Sequence, residues 1–85
     1  MKKTIYIIIQ DCSDDYDRSV EVKPYGSLDE ARAEFKTLTD NRRVDATNLG
    51  WKIEEDTPNC FSAYEDGCEC INHCHIIFQS SEINI

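Results

Sequence analysis

The sequence predicts an α+β domain, a mostly antiparallel five-stranded sheet with one helix packed on one face. Five short segments rich in β-branched and aromatic residues alternate with turn residues, which is typical of strands. Only one segment repeats apolar residues at helical spacing. The connections are mostly short, which favours antiparallel neighbours. With 85 residues, the chain is predicted to be a single domain over residues 1–85, with the element order β-β-α-β-β-β.

The first half of the chain predicts two strands. Residues 4–10 are rich in Ile and Tyr and predict a central strand. Residues 11–17 form a polar cluster typical of a turn. Residues 19–23 alternate apolar and polar side chains, as a half-buried strand does, and Pro24 follows them.

The helix has the clearest local signal. Ser27 is a predicted N-cap, and Glu30 completes a capping box three residues later. Asp29 and Glu30 also suit the positive end of the helix dipole. A single apolar stripe follows at three- and four-residue steps, formed by Leu28, Ala31, Phe35 and Leu38. We expect the helix to end near Asn41, with residues 42–46 as an optional extension before the stop signals at Asn48 and Gly50.

The second half predicts three more strands. They cover residues 51–54, 60–64 and 71–79, and a tail is expected from about residue 80. Residues 56–59 predict a turn, and residues 65–67 a hairpin turn.

Composition excludes several classes of function. The chain has 17 acidic and 9 basic residues, for a net charge of −8, which disfavours direct binding to nucleic acid or to an anionic membrane. The longest apolar run, residues 7–9, is far too short to span a bilayer. The basic and apolar start is cut off by residues 10–12, so we expect a cytoplasmic protein and not a secreted one.

Five cysteines favour free thiols or a metal over disulfides, because their number is odd and no secretory segment is predicted. If residues 65–67 form the turn, even-numbered positions share one face of the hairpin. This register predicts a structural zinc site with four thiolate ligands, Cys60, Cys68, Cys70 and Cys74. Four protein ligands leave no position for a reactive water, so the site is predicted to stabilise the fold and not to catalyse.

Alternatives to this zinc site remain open. His73, His75 or Cys12 can replace one of the four ligands, although Cys12 can do so only if its strand lies beside the hairpin. The cysteines can instead pack as small apolar residues, or form a disulfide or redox pair. The sequence has no nucleophile motif and no phosphate-binding loop, and we expect a protein that is not an enzyme.

Acidic residues concentrate in loop regions. The predicted partner-binding groups are Asp14, Asp15, Asp17, Glu54, Glu55 and Asp56. A negative field of this kind steers a protein toward a basic protein surface. For the Asp cluster near residue 14, a solvated turn is a better interpretation than a calcium loop.

The small size, the negative charge, the cysteine cluster and the lack of enzyme motifs resemble those of small phage-encoded anti-CRISPR proteins of type II-A, in the zinc-containing form. The resemblance implies an inhibitor that blocks target-DNA loading by an RNA-guided nuclease. The alternative is a small regulatory or interaction protein of a phage or mobile element with another partner. A thiol redox protein is the third hypothesis. The sequence leaves the partner, the docking surface and the oligomeric state open.

Overall fold

The structure is a computed structural model that describes residues 1–14, 17–68 and 72–84. It confirms the α+β class and the order β-β-α-β-β-β. The elements are β1 (Lys2–Asp14), β2 (Asp17–Tyr25), α1 (Leu28–Leu49), β3 (Lys52–Thr57), β4 (Cys60–Tyr64) and β5 (His73–Asn84). The strands form a single sheet in the order β2-β1-β5-β4-β3, and every neighbouring pair is antiparallel.

The two central strands, β1 and β5, are longer than predicted. The expected tail from about residue 80 is wrong for residues 80–84, which continue β5 and pair with the start of β1. Residues 2–5 of β1 and residues 81–84 of β5 pair only with each other in the described chain, and they form a two-stranded ribbon. This ribbon explains a radius of gyration of 14.1 Å, against about 12 Å for a compact domain of this length.

The helix begins as predicted and ends later. The Glu30 backbone N–H donates to Ser27 Oγ at 3.4 Å, which is the expected N-cap. At the other end, Gly50 has φ +75°, and its N–H donates to Thr47 O at 3.2 Å. Trp51 N–H donates to Ala46 O at 2.9 Å, completing a Schellman motif. The helix therefore stops at the first position where the chain offers glycine for a left-handed conformation.

The core lies between α1 and one face of the sheet. Phe35 of α1 meets Phe78 of β5 edge to face, with ring centroids 5.8 Å apart. The fully buried side chains are Ile8, Ala31, Phe61, Ala63 and Ile76, with Phe35, Ala46, Cys74 and Phe78 nearly so. Of the predicted apolar stripe, Ala31 and Phe35 are buried and Leu38 is half-buried, whereas Leu28 is exposed. The second face of the sheet has no helix against it in the described chain.

Candidate functional site

The register of β4 and β5 differs from the predicted register. Cys60 pairs with Ile77, and Tyr64 with His73. The connection runs from Glu65 to Asn72, and its ends are joined by a hydrogen bond from Glu65 N to Asn72 O of 3.0 Å. Glu65–Gly67, taken in the prediction as the whole turn, is only the start of this connection. The predicted pairing is therefore wrong by five residues, and an odd shift exchanges the faces on which side chains lie.

This register places Cys60 and Cys74 on opposite faces of the sheet. Cys74 lies on the face that α1 covers and Cys60 on the opposite face, so the structure does not bring these two sulfurs together. Cys68 is half-buried in the connection, and Cys70 lies outside the described residues. In the part of the chain that the structure describes, no three His, Cys, Asp or Glu side chains are grouped to hold a metal. The described residues therefore do not bring Cys60, Cys68 and Cys74 into one group, and the four-thiolate zinc site stays a prediction.

The structure instead brings Cys12 and Cys74 together. They are direct partners across β1 and β5, and both lie on the face toward α1. Cys12 is half-buried and Cys74 is only 5% exposed. The condition noted for Cys12, that its strand lies next to the hairpin, is therefore met. Sequence reasoning missed this pair because nothing local indicates that β1 pairs with β5.

The two thiols have different acidities. A hydrogen bond from the Cys74 thiol, opposed by burial and helped by the charge of Arg42, lowers the pKa of Cys12 to about 6. The same interaction with Cys12, together with burial, raises the pKa of Cys74. Gln10 Nε2 also donates to Cys12 Sγ at 3.7 Å. These contacts favour the thiolate form of Cys12 over that of Cys74.

A cavity of about 650 Å³ opens beside this pair, between the last turns of α1 and the end of the sheet. This volume lies within the range of about 300–1,000 Å³ that is usual for small-molecule sites. Its lining includes both thiols, two charged side chains of α1 and two large apolar side chains; these residues are Cys12, Cys74, Arg42, Asp45, Leu49 and Trp51.

The open face of the sheet carries a second notable feature, a row of apolar side chains. We call this surface the open face; its apolar members are Ile5, Ile7, Ile9, Val20, Val22 and Ile77. Val22 is 61% exposed, and Val20 is similarly exposed. The four isoleucines are half-buried among their neighbours on the sheet. An amphipathic sheet normally places such residues against a core, so this face is unusual for a sheet surface in contact with water.

One end of the open face is polar. Arg18 binds Asp11 with two hydrogen bonds of 3.2 and 2.9 Å, and this guanidinium holds the pKa of Asp11 below its ordinary value. His73 Nε2 lies 3.7 Å from Asp11 Oδ1. His75 Nε2 lies 3.4 Å from Cys60 Sγ. Both histidines lie on the face opposite Cys74, which is the face that carries Cys60.

The acidic residues predicted to bind a partner lie in different parts of the structure and have different surroundings. Asp56 is held by Arg43 through contacts of 2.6 and 2.7 Å, and Arg43 also binds Asp40 at 2.7 Å. Asp56 therefore serves mainly to join β3 to α1. Glu54 and Glu55 are exposed on β3, and Asp17 lines the cavity. Asp15 and the side chain of Asp14 lie outside the described part of the chain.

Comparisons with protein-family models, with curated proteins and with solved structures return no match to this chain. Among the described residues, no helix combines the length and the apolar composition that crossing a bilayer requires. The fold and the geometry of the two surfaces are therefore the basis for assigning a function.

Proposed function

We propose that this protein is a protein-binding module that docks the open face of its sheet onto another protein. The observation that carries the proposal is the row of isoleucine and valine side chains on that face. Soluble proteins rarely keep a large contiguous apolar patch in contact with water, and such patches commonly mark interaction surfaces.

Burial of this row supplies the driving force for docking. Removing apolar surface from water contributes about 25 cal/mol per Å². Val20 and Val22 contribute the most free energy to docking, because their side chains are exposed and neither the helix nor another strand covers them. Ile7, Ile9 and Ile77 continue the same surface toward the centre of the sheet. A β-sheet surface of this kind forms a rigid platform and loses little conformational entropy on binding.

The charge of the chain selects the chemistry of the partner. A net charge of −8 opposes the approach of a second copy and favours a surface with lysine and arginine around an apolar centre. Glu54 and Glu55, exposed on the edge strand β3, contribute to this field. Asp56 contributes less, because Arg43 neutralises it. The partner is thus a protein with an apolar patch bordered by basic residues.

An inhibitor is the form of this function that the sequence supports. The resemblance to anti-CRISPR proteins makes an RNA-guided nuclease, acting in the cytoplasm of the host cell, the first partner to test. Its DNA-binding surface is basic, which fits the charge of this chain. A regulatory partner of a phage or mobile element is the alternative. Zinc binding is a separate prediction from the sequence, tested by elemental analysis of protein purified without added metal, where about one zinc per chain would support it.

The test compares two valines with the same exposure on different surfaces. Val22 is 61% exposed on the open face, and Val44 is 59% exposed on α1. Val22→Asp and Val44→Asp each add one negative charge, so long-range steering changes equally. The variants and the wild type are immobilised and exposed to a guide-loaded type II-A nuclease and, separately, to lysate of the natural host.

We expect a partner that is retained by Val44→Asp and loses at least about tenfold in affinity for Val22→Asp, equivalent to about 1.4 kcal/mol. We also expect its binding to weaken as salt rises, because the rim is electrostatic. Equal binding of every captured protein to both variants would contradict the proposal. Self-association of the wild type through the open face, measured by sedimentation and strengthened by salt, would replace it with a homodimer.

A further inference from the structure

We propose that Cys12 and Cys74 form a redox-active dithiol that exchanges with low-molecular-weight disulfides entering the adjacent cavity. This chemistry is independent of docking by the open face, since the two thiols lie on the other side of the sheet.

The backbone already places the two residues at disulfide distance. Cys12 and Cys74 are direct partners in an antiparallel ladder, where the Cα atoms of opposite residues lie about 4.5–5.5 Å apart. Disulfides span Cα separations of about 4.4–6.8 Å, so the bond forms without rearrangement of the strands. Cys60 has no such partner, because it lies opposite Ile77 on the open face.

Access assigns different roles to the two sulfurs. Cys12 is half-buried and lines the cavity, so an incoming disulfide reaches it first. Cys74 also lines the cavity but is only 5% exposed, so an incoming disulfide reaches it less readily than Cys12. Arg42 lines the same cavity and places a positive charge there, which suits a site where thiolates form and leave. Cys12 is therefore the attacking residue, and Cys74 is the resolving residue.

The reaction balances with a small disulfide, RSSR, as the oxidant. The Cys12 thiolate attacks one sulfur of RSSR, the S–S bond breaks, and the leaving thiolate takes the proton that Cys12 has released. The Cys74 thiol then loses its proton, and its sulfur attacks the Cys12 sulfur of the mixed disulfide. The second thiolate leaves and takes that proton. Two protein thiols lose two electrons in total, and RSSR is reduced to two RSH.

The cavity is suited to a peptide-like disulfide. Arg42 and Asp45 form an ion pair, with Nη1 and Oδ2 4.0 Å apart, that places both charges at the cavity for a zwitterionic ligand. Leu49 and Trp51 provide an apolar wall. Its volume of about 650 Å³ accommodates one half of such a molecule, with the remainder directed to solvent. Oxidised glutathione has this chemistry and serves as the probe.

The experiment treats the 85-residue protein with oxidised glutathione near neutral pH, blocks the remaining thiols by alkylation, and maps the products by mass spectrometry. Trypsin separates Cys12 from the other four cysteines, so a cross-linked pair of peptides reports an internal disulfide of Cys12. We expect this cross-link in the wild type and its loss with excess reduced glutathione. Cys60→Ser is the matched control and should behave as the wild type. Cys74→Ser should stop at a glutathione adduct on Cys12.

Three results would overturn the proposal. One is cross-linking of Cys12 in Cys74→Ser at the wild-type rate, which would assign another resolving residue. A second is preferential attack of glutathione on Cys60 or Cys68, with Cys12 left unmodified. A third is oxidation of Cys74 only after a chelator is added, which would assign Cys74 to a metal. Should circular dichroism show that Cys74→Ser unfolds, Cys12→Ser provides the test, and it should leave Cys74 unmodified because that thiol is buried.

Discussion

Ile76 and Ile77 offer a direct test of which face of the sheet forms the core. They are adjacent in β5 and identical in side chain, yet Ile76 is 0% exposed beneath α1 and Ile77 is half-buried on the open face. Each is shortened to alanine, and their costs in folding free energy are compared. The two residues have the same side chain, belong to the same strand and are neighbours in the chain. The difference in folding free energy between the two variants therefore reports only the face on which each side chain lies.

The expected cost follows from the atoms removed. Ile→Ala deletes three carbons, and each buried carbon contributes about 0.8 kcal/mol through transfer from water. At Ile76 the space left beneath the helix adds a cavity term, and buried Ile→Ala changes typically cost about 2–5 kcal/mol. We expect about 3–4 kcal/mol for Ile76→Ala. Ile77→Ala removes the same atoms from a partly solvated position and should cost about 1 kcal/mol.

Urea unfolding, followed by the fluorescence of the single tryptophan, Trp51, and by far-UV circular dichroism, measures both values. The total stability expected for 85 residues is about 4–13 kcal/mol, so Ile76→Ala approaches the lower limit of a folded protein. Ile76→Val and Ile77→Val serve as milder versions, with about 1 kcal/mol expected for the first. The thiols are kept reduced throughout, so that no disulfide contributes.

A cost for Ile77→Ala equal to or greater than that for Ile76→Ala would refute the assignment of faces. The open face would then be the core of the domain, and both the docking proposal and the position of Cys74 would be wrong. Similar small costs for both variants would show that α1 does not pack on β5.

The same structure makes four further predictions. Arg43→Lys should lower stability by about 0.5–1 kcal/mol in urea unfolding, because lysine cannot keep the paired hydrogen bonds to Asp56 and water screens this partly exposed pair; unchanged stability would contradict the role of Arg43 in joining α1 to β3. The pKa of Asp56 is lowered from 3.8 by Arg43, so its stabilisation is complete above the unfolded value and is lost as pH falls below about 4; wild type should therefore lose more stability than Asp56→Asn on acidification, and parallel losses would contradict this. Alkylation of Cys12 by iodoacetamide should fall about tenfold per pH unit below its pKa of about 6 and level off above it, whereas a rise that continues to pH 8 would show an ordinary thiol. Amide hydrogen exchange should be fast at residues 81–84 of the ribbon and slow at residues 74–78 of the core, and equal protection would show that the ribbon is covered.

Local signals account for the elements that the sequence predicts well. Ser27 and Glu30 mark the helix start because the capping hydrogen bond involves only neighbouring residues. The strand at Cys60–Tyr64 was predicted with its observed limits. The helix end was missed because Val44 is exposed and Ala46 is small, so the apolar pattern weakens before Gly50 stops the helix.

The candidate sites were predicted less well. The sequence does not show which face of β5 is buried, because Ile76 and Ile77 are both apolar. Neither the even-numbered nor the odd-numbered positions of the strand form a clearly more apolar set. A short turn at residues 65–67 was the simplest interpretation, and it reversed the faces of Cys60 and Cys74. Cys12 joins Cys74 only through a strand pairing that no local pattern shows.

The sequence by itself determined the number, type and order of the elements, because helix caps and periodic apolar patterns act over a few neighbouring residues. Only the tertiary structure decided the register of β4 with β5, the pairing of β1 with β5 and the side of the sheet that α1 covers. Those choices depend on packing between segments distant in the chain. A shift of the strand by an odd number of residues preserves each strand and exchanges its two faces.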